Sequence, residues 1–313
     1  MFSSFLSITF LAAALSFSSV GTVPLPEIAE RDLETRAVTV LSATSVSNFA
    51  PFTQFARAAY CQQSKVQTWS CGGACSAVPG FQPTLTGGDG DDVPLYFVGY
   101  WPQQNSVIVS HEGTDPTQFL SILIDLDIDQ VPLSSSLFPG VPGGVLVHEG
   151  FRDAHSATAP AILAQVKNLI ATKGATSVVA VGHSLGGAIA ELETVYLRLN
   201  LPSSVAVKGV TYGTPRVGNP AWANWFDSQV NGNFNRINHN LDPIPIVPGR
   251  GMGYSHVAGE IHIDGSNHWN SCNGNDDTEN GCTIASVPNI FVSDILDHLG
   301  AYASIYIGTT FCD

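Results

Sequence analysis

Positive charge is scarce in this chain. Its 313 residues carry 12 Lys and Arg against 26 Asp and Glu, a formal net charge of −14. So acidic a molecule repels phosphate backbones and anionic lipid, which argues against a nucleic-acid partner; solubility outside the cell is the plainer use of the charge. Any Asn-x-Ser/Thr sequence is also lacking, so N-linked glycans are not expected. No internal repeat or low-complexity tract is visible, and no apolar run is long enough to make a confident membrane span. An integral membrane protein is therefore not expected. The acidic stretches "GGDGDD" (87–92) and "NGNDDTENG" (273–281) lack the spacing of an EF-hand loop and read as solvated turns.

What the chain has begins with its first residues. "MFSSFLSITFLAAALSFSSVG" (1–21) is apolar from Phe5 to Phe17 and ends in small residues, as a secretory signal peptide does; an uncleaved signal anchor is the alternative. "TVPLPEIAERDLETR" (22–36) is polar and rich in proline and charge, which suits a pro-segment ending at Arg36. A domain over 37–313 would follow, and losing 1–36 would move the formal charge from −14 to −12. The six cysteines, Cys61, Cys71, Cys75, Cys272, Cys282 and Cys312, are an even number behind a signal peptide, so disulfides are the default. Metal ligation is the rival, since Cys71 and Cys75 have finger-like spacing, and fifteen pairings are open.

Apolar strand-like runs alternate with helical segments from about residue 40, which predicts an α/β fold. Strands are expected at 105–114, 176–182, 204–213 and 233–240, and helices at 160–174 and 186–200. Between the second strand and the second helix lies "VGHSLGG", with Ser184 on the junction. Such a serine has room from Gly182 and Gly186, and helix N–H groups beside it for a developing oxyanion. The bland alternative is a helix N-cap serine.

A serine hydroxyl needs a histidine base, and the histidine needs a carboxylate to fix its tautomer. Asp242, in "RINHNLDPIPIVP", sits just past a strand end with Pro243 stiffening the turn. Asp276 and Asp277 lie in the loop read as solvated, and Asp227 and Asp264 lack a strand-end setting. Among His239, His256, His262, His268 and His298, only His298 comes late enough, before a final apolar element. The expected order Ser184, Asp242, His298 is that of α/β-hydrolases.

These residues add up to a resemblance. "VHEGF" (147–151), "VGHSLGGAIAEL" (181–192), "YGTPRVGNPAWANWF" (212–226), "LDPIPIVP" (241–248), "YSHVAGEI" (254–261) and "DHLGAY" (297–302) resemble the fungal class 3 lipases, the triacylglycerol lipase and feruloyl esterase group, over roughly 45–313. The resemblance implies an α/β-hydrolase fold: a single domain with a central, mostly parallel sheet flanked by helices. It implies Ser184 as nucleophile, Asp242 as orienting acid and His298 as base. Thr114 and Leu185 would form the oxyanion hole through their backbone N–H groups. It also implies the pairs Cys61–Cys312, Cys71–Cys75 and Cys272–Cys282, and gives His148 and His183 structural roles. One departure is plain: the family usually has an aromatic residue and arginine before the oxyanion-hole Gly, where this chain has His111 and Glu112, a variant of basidiomycete type.

The activity implied is hydrolysis of carboxylic esters by a secreted monomer, most simply a triacylglycerol lipase at a lipid–water interface, with no metal or organic cofactor. A feruloyl or small-ester esterase on the same fold, or a catalytically silent binding domain, are the rivals; a peptide cleft has no support. In the family the stretch after Thr114 holds the lid. Here "DPTQFLSILIDLD" (115–127) packs Phe119, Leu120, Ile122, Leu123, Ile124 and Leu126 into eight positions, too many for one face of a helix. A lid is expected, with Asp125, Asp127 and Asp129 on its solvent side; a buried core helix is the alternative.

Overall fold

The computed structural model describes residues 38–91, 93–124 and 128–312. The expected leader (1–21) and pro-segment (22–36), the first residue of the expected domain, and Asp125, Leu126 and Asp127 lie outside them.

The strands are β1 (Thr39–Val40), β2 (Gln82–Gly87), β3 (Tyr96–Trp101), β4 (Ser106–His111), β5 (Gln130–Pro132), β6 (Leu146–His148), β7 (Ser177–His183), β8 (Ala206–Tyr212), β9 (Phe234–His239), β10 (Glu260–Ile263) and β11 (Trp269–Ser271). Among the described residues nine of them form one sheet in the order β1-β11-β10-β9-β8-β7-β4-β3-β2, while β5 and β6 pair separately. The centre, β4 through β7, β8 and β9 to β10, is parallel, and both margins are antiparallel. Parallel strands need cover on both faces. Alternation along β7 supplies it: Val178 packs in a cluster with Ile162, Val166 and Leu169, while Val179 and Val181 face the cluster of Phe55 and Tyr60.

The helices that matter here are α1 (Ala50–Ala58), α2 (Pro116–Leu123), α3 (Glu149–Lys173), α4 (Leu185–Asn200) and α5 (Pro220–Val230). α3 starts eleven residues before the expected 160, and Pro160 lies inside it. Its buried residues Phe151, His155, Thr158, Ala159, Ile162, Val166 and Leu169 recur every three or four positions. That continuous buried stripe outweighs the proline's lost hydrogen bond, about 3 kcal/mol. Gly174, with φ 67°, ends the helix as expected. No helix among the described residues is long and apolar enough to cross a membrane.

Candidate active site

Ser184 stands between β7 and α4 with φ 60° and ψ −128°. A non-glycine residue there is strained and persists only where its surroundings fix it. The Ser184 N–H donates to the Tyr212 carbonyl of β8 at 2.9 Å. A Cβ on Gly182 would lie 2.0 Å from the Gly186 carbonyl oxygen, and one on Gly186 would lie 2.3 Å from that of His111. Glycine at both places therefore lets strand, turn and helix close on one another. Ser184 does occupy the N-cap position, but its side chain caps nothing, and its buried Oγ has no hydrogen-bond partner.

His298 and Asp242 come from segments after β9. The His298 Nδ1 lies 2.8 Å from Asp242 Oδ2. A carboxylate only accepts, so Nδ1 carries a proton, and in the neutral imidazole Nε2 then keeps its lone pair. That Nε2 is buried and unpartnered, as is Ser184 Oγ. The other Asp242 oxygen accepts the Ile244 N–H at 2.8 Å. His183, the neighbour of the serine, places its ring 4.4 Å from that of His298, centre to centre, and donates from Nε2 to the His298 carbonyl at 2.8 Å. Its Nδ1 is then an acceptor, and the Tyr60 hydroxyl donates to it at 2.6 Å. Burial, with the nearby His298, holds His183 well below the ordinary histidine range, so it stays the neutral link this chain of bonds requires.

Gly113 adjoins the serine: a Cβ there would stand 2.8 Å from Ser184 Cβ and 2.2 Å from the Tyr60 hydroxyl. Thr114 follows it directly, half-buried, and Leu185 is the first residue of α4. The Leu185 amide therefore belongs to the first turn, where N–H groups have no intrahelical acceptor. Glu112, in the place of the family's usual arginine, accepts the Leu95 N–H at 3.0 Å and ties the start of β3 to the end of β4. His111, in the aromatic position, packs near Tyr96 with ring centres 6.2 Å apart.

The other histidines have local partners. His148 stacks on Phe151 at 4.1 Å. His262 bonds to the Gly281 and Asn240 carbonyls, His239 to the Asp297 carbonyl, His268 to Asp264, and His256 to the Pro245 carbonyl. The disulfides are Cys61–Cys312, Cys71–Cys75 and Cys272–Cys282. Glu260 lies near Cys272 and Cys282, but those sulfurs are bonded to each other and offer no thiolate to a metal.

Two features were hidden from the sequence. Tyr60 reaches His183 across 123 residues, and nothing in "QFARAAY" distinguishes it. Asp276 corrects the reading of 273–281 as a solvated loop: it pairs with the buried Arg216 at 2.8 Å, because that guanidinium has to be neutralised. The rest of the loop stays largely open, which is why its composition reads as solvent-facing.

α2 covers the site. It packs against the Ile295–Leu299 turn that carries His298. Phe119 and Leu123 face inward into the cluster that includes Leu120, Leu185 and Ile295, whereas Ile122 and Ile124 are exposed. Ser184, Asp242 and His298 are 0%, 1% and 0% exposed.

A mostly parallel sheet, a strained serine between a strand and a helix, and a histidine–carboxylate pair from later loops define an α/β-hydrolase. The family model for lipase (class 3) matches residues 108–252. A secreted mono- and diacylglycerol lipase 1 of Fusarium solani is 32% identical over 262 residues, 82% of this chain and 74% of that one. The chain belongs to the class 3 lipase family. It is also 29% identical to the secreted mono- and diacylglycerol lipase LIP2 of Malassezia restricta over 198 residues, 63% of this chain and 61% of the length of that relative. Among solved structures, the lipase from Rhizopus microsporus var. chinensis superposes with a TM-score of 0.75 at 26% identity, covering 95% of this chain and 100% of that one.

Proposed function

We propose that this protein is a secreted acylglycerol lipase acting at lipid–water interfaces through an acyl-enzyme. The observation that carries the reading is the pair of buried, unpartnered atoms, Ser184 Oγ and His298 Nε2, with the opposite histidine nitrogen bound to Asp242. In this mechanism Ser184 attacks the ester carbonyl while His298 Nε2 takes its proton, and Asp242 stabilises the imidazolium. The oxyanion lies on the amides of Thr114 and Leu185, with the Thr114 hydroxyl as a third donor; one such donor is worth about 3–4 kcal/mol in the transition state. His298 then protonates the leaving alcohol, and water releases the acyl group by the reverse sequence. No metal or organic cofactor is needed.

The cover favours a lipase over a small-ester esterase. With the triad buried, substrate reaches Ser184 only after α2 moves, which would bring Phe119 and Leu123 out of contact. In water that costs about 25 cal/mol per Å² of apolar surface, and a lipid surface removes the cost. The end of α2 and the Ile295–Leu299 turn packed against it already carry exposed Ile122, Ile124 and Leu296. Triacylglycerol is the substrate read from the sequence; the names of the Fusarium and Malassezia relatives favour mono- and diacylglycerols as the second reading. We further infer removal of residues 1–21 as leader and 22–36 as pro-segment, giving a secreted monomer that starts near Ala37. N-terminal sequencing and light scattering of the exported protein test this.

The functional test is the rate on tributyrin across its solubility limit, beside mono- and dibutyrin and methyl ferulate. A rise as the emulsion forms supports the lipase, and the ratio among the glycerides separates the two substrate readings. A rate that saturates below the limit, or a preference for methyl ferulate, overturns the interfacial reading.

A further inference from the structure

The segment that carries Asp242, "DPIPIVP" (242–248), holds three prolines and so has few N–H groups with which to fix itself. Its carbonyls are fixed from outside. His256 Nε2 donates to the Pro245 carbonyl at 2.6 Å. Arg216 donates from Nη1 to the carbonyls of Ile246 and, at 3.0 Å, Pro248, and from its backbone N–H to Val247 at 2.9 Å. Four successive carbonyls beyond the acid are thus held by two buried residues. The Ile244 N–H, at the start of the same turn, is what Asp242 Oδ1 accepts.

Arg216 is 2% exposed, and a guanidinium so buried needs a counter-charge. Asp276 supplies it. Asp276 Oδ1 accepts from Arg216 Nε at 2.8 Å, and Oδ2 accepts the His256 N–H and the Ser255 hydroxyl, each at 3.0 Å. Asn275 adds a donor to the His256 carbonyl at 2.8 Å, and the Cys272–Cys282 bond closes the loop that delivers both residues. Burial opposes ionisation of Asp276, but His256, Arg216 and the hydrogen bonds outweigh it and hold the carboxyl well below its usual range. Asp276 is therefore a fixed anion behind the turn.

We propose that Asp276 is a positioning residue for Asp242: by orienting Arg216 and His256 against the carbonyls of residues 245–248, it sets where the orienting acid meets His298. The inference rests on the reading of Asp242 as the triad acid.

The test is kcat and KM on soluble p-nitrophenyl butyrate for wild type, Asp276→Asn, Asp242→Asn and the double variant, each corrected for folded protein. Misplacement of the acid should lower kcat of Asp276→Asn by about tenfold or more, with KM nearly unchanged. In the double variant the loss should be no greater than in Asp242→Asn alone, since both act through one carboxylate. Wild-type kcat in folded Asp276→Asn, or two losses that multiply, overturns the inference. Should Asp276→Asn fail to fold, Arg216→Lys decides. It keeps the charge but loses the planar fork that binds Asp276 through Nε and Nη2 while Nη1 holds two carbonyls, so an undiminished kcat there contradicts the proposal. Near wild-type activity in Asp242→Asn is a separate outcome that removes the triad assignment itself.

Discussion

At the scale of single residues the site is a set of constraints on three side chains. Replacing Ser184 by Ala should lower ester hydrolysis by at least about a thousandfold with the melting temperature nearly unchanged, because a triad acts as a unit; activity above a hundredth of wild type would indicate another nucleophile. Burial, together with the nearby His155, pushes His111 down to about 3, and burial pushes His148 down to about 4. Both stay neutral in the fold while the unfolded chain protonates them near 6.5, so their contribution is full above that pH and is lost as the pH falls. Glu191, raised to about 8 by burial, works in the opposite sense. His111→Phe should therefore lose less stability than wild type between pH 7 and 5, by about 2 kcal/mol in denaturant unfolding; equal losses would mean that His111 protonates in the fold. The place of Ser184 between β7 and α4 and the pairing of Asp242 with His298 were legible, because the chemistry expected of them fixes their types and chain topology fixes their order. Tyr60, Arg216 and Asp276 were not, since each acts through a partner at least 60 residues away that only the fold supplies.

At the scale of elements, local pattern sufficed for the buried strands, whose apolar runs have no other use. It failed at the start of α3, where a polar-looking stretch buries His155 and Thr158. The apolar run after Thr114 was the ambiguous case, and the structure divides its residues. The helix lasts only from Pro116 to Leu123, started by Asp115, whose carboxylate accepts the N–H groups of Thr117 and Gln118. Phe119 and Leu123 are buried and Ile122 is exposed, so exchanging all three for serine would confuse two effects. Ile122→Asp alone should lower the rate on emulsified tributyrin while leaving that on dissolved p-nitrophenyl butyrate nearly unchanged. A parallel fall in both rates would make α2 part of a fixed core rather than a cover.

At the scale of the whole molecule, the Cys61–Cys312 bond spans 251 positions and ties the segment after α1 to the end of the described chain. In the chain-entropy model a loop of that length is worth up to about 5 kcal/mol. Reduction should therefore lower the melting temperature well before it lowers activity at 25 °C, since all six cysteines are in disulfides and none has a part in the proposed chemistry. Immediate inactivation by reductant with the fold intact would contradict this. The central claim, that Ser184 is a nucleophile kept buried until a lipid surface is present, has one direct measurement: labelling by a p-nitrophenyl alkylphosphonate, followed by mass spectrometry of the peptides, with and without an emulsion. The account predicts one adduct per molecule, on Ser184, forming in step with loss of activity and faster when the emulsion is added. An adduct on another residue, or labelling of Ser184 that leaves hydrolysis intact, would contradict it.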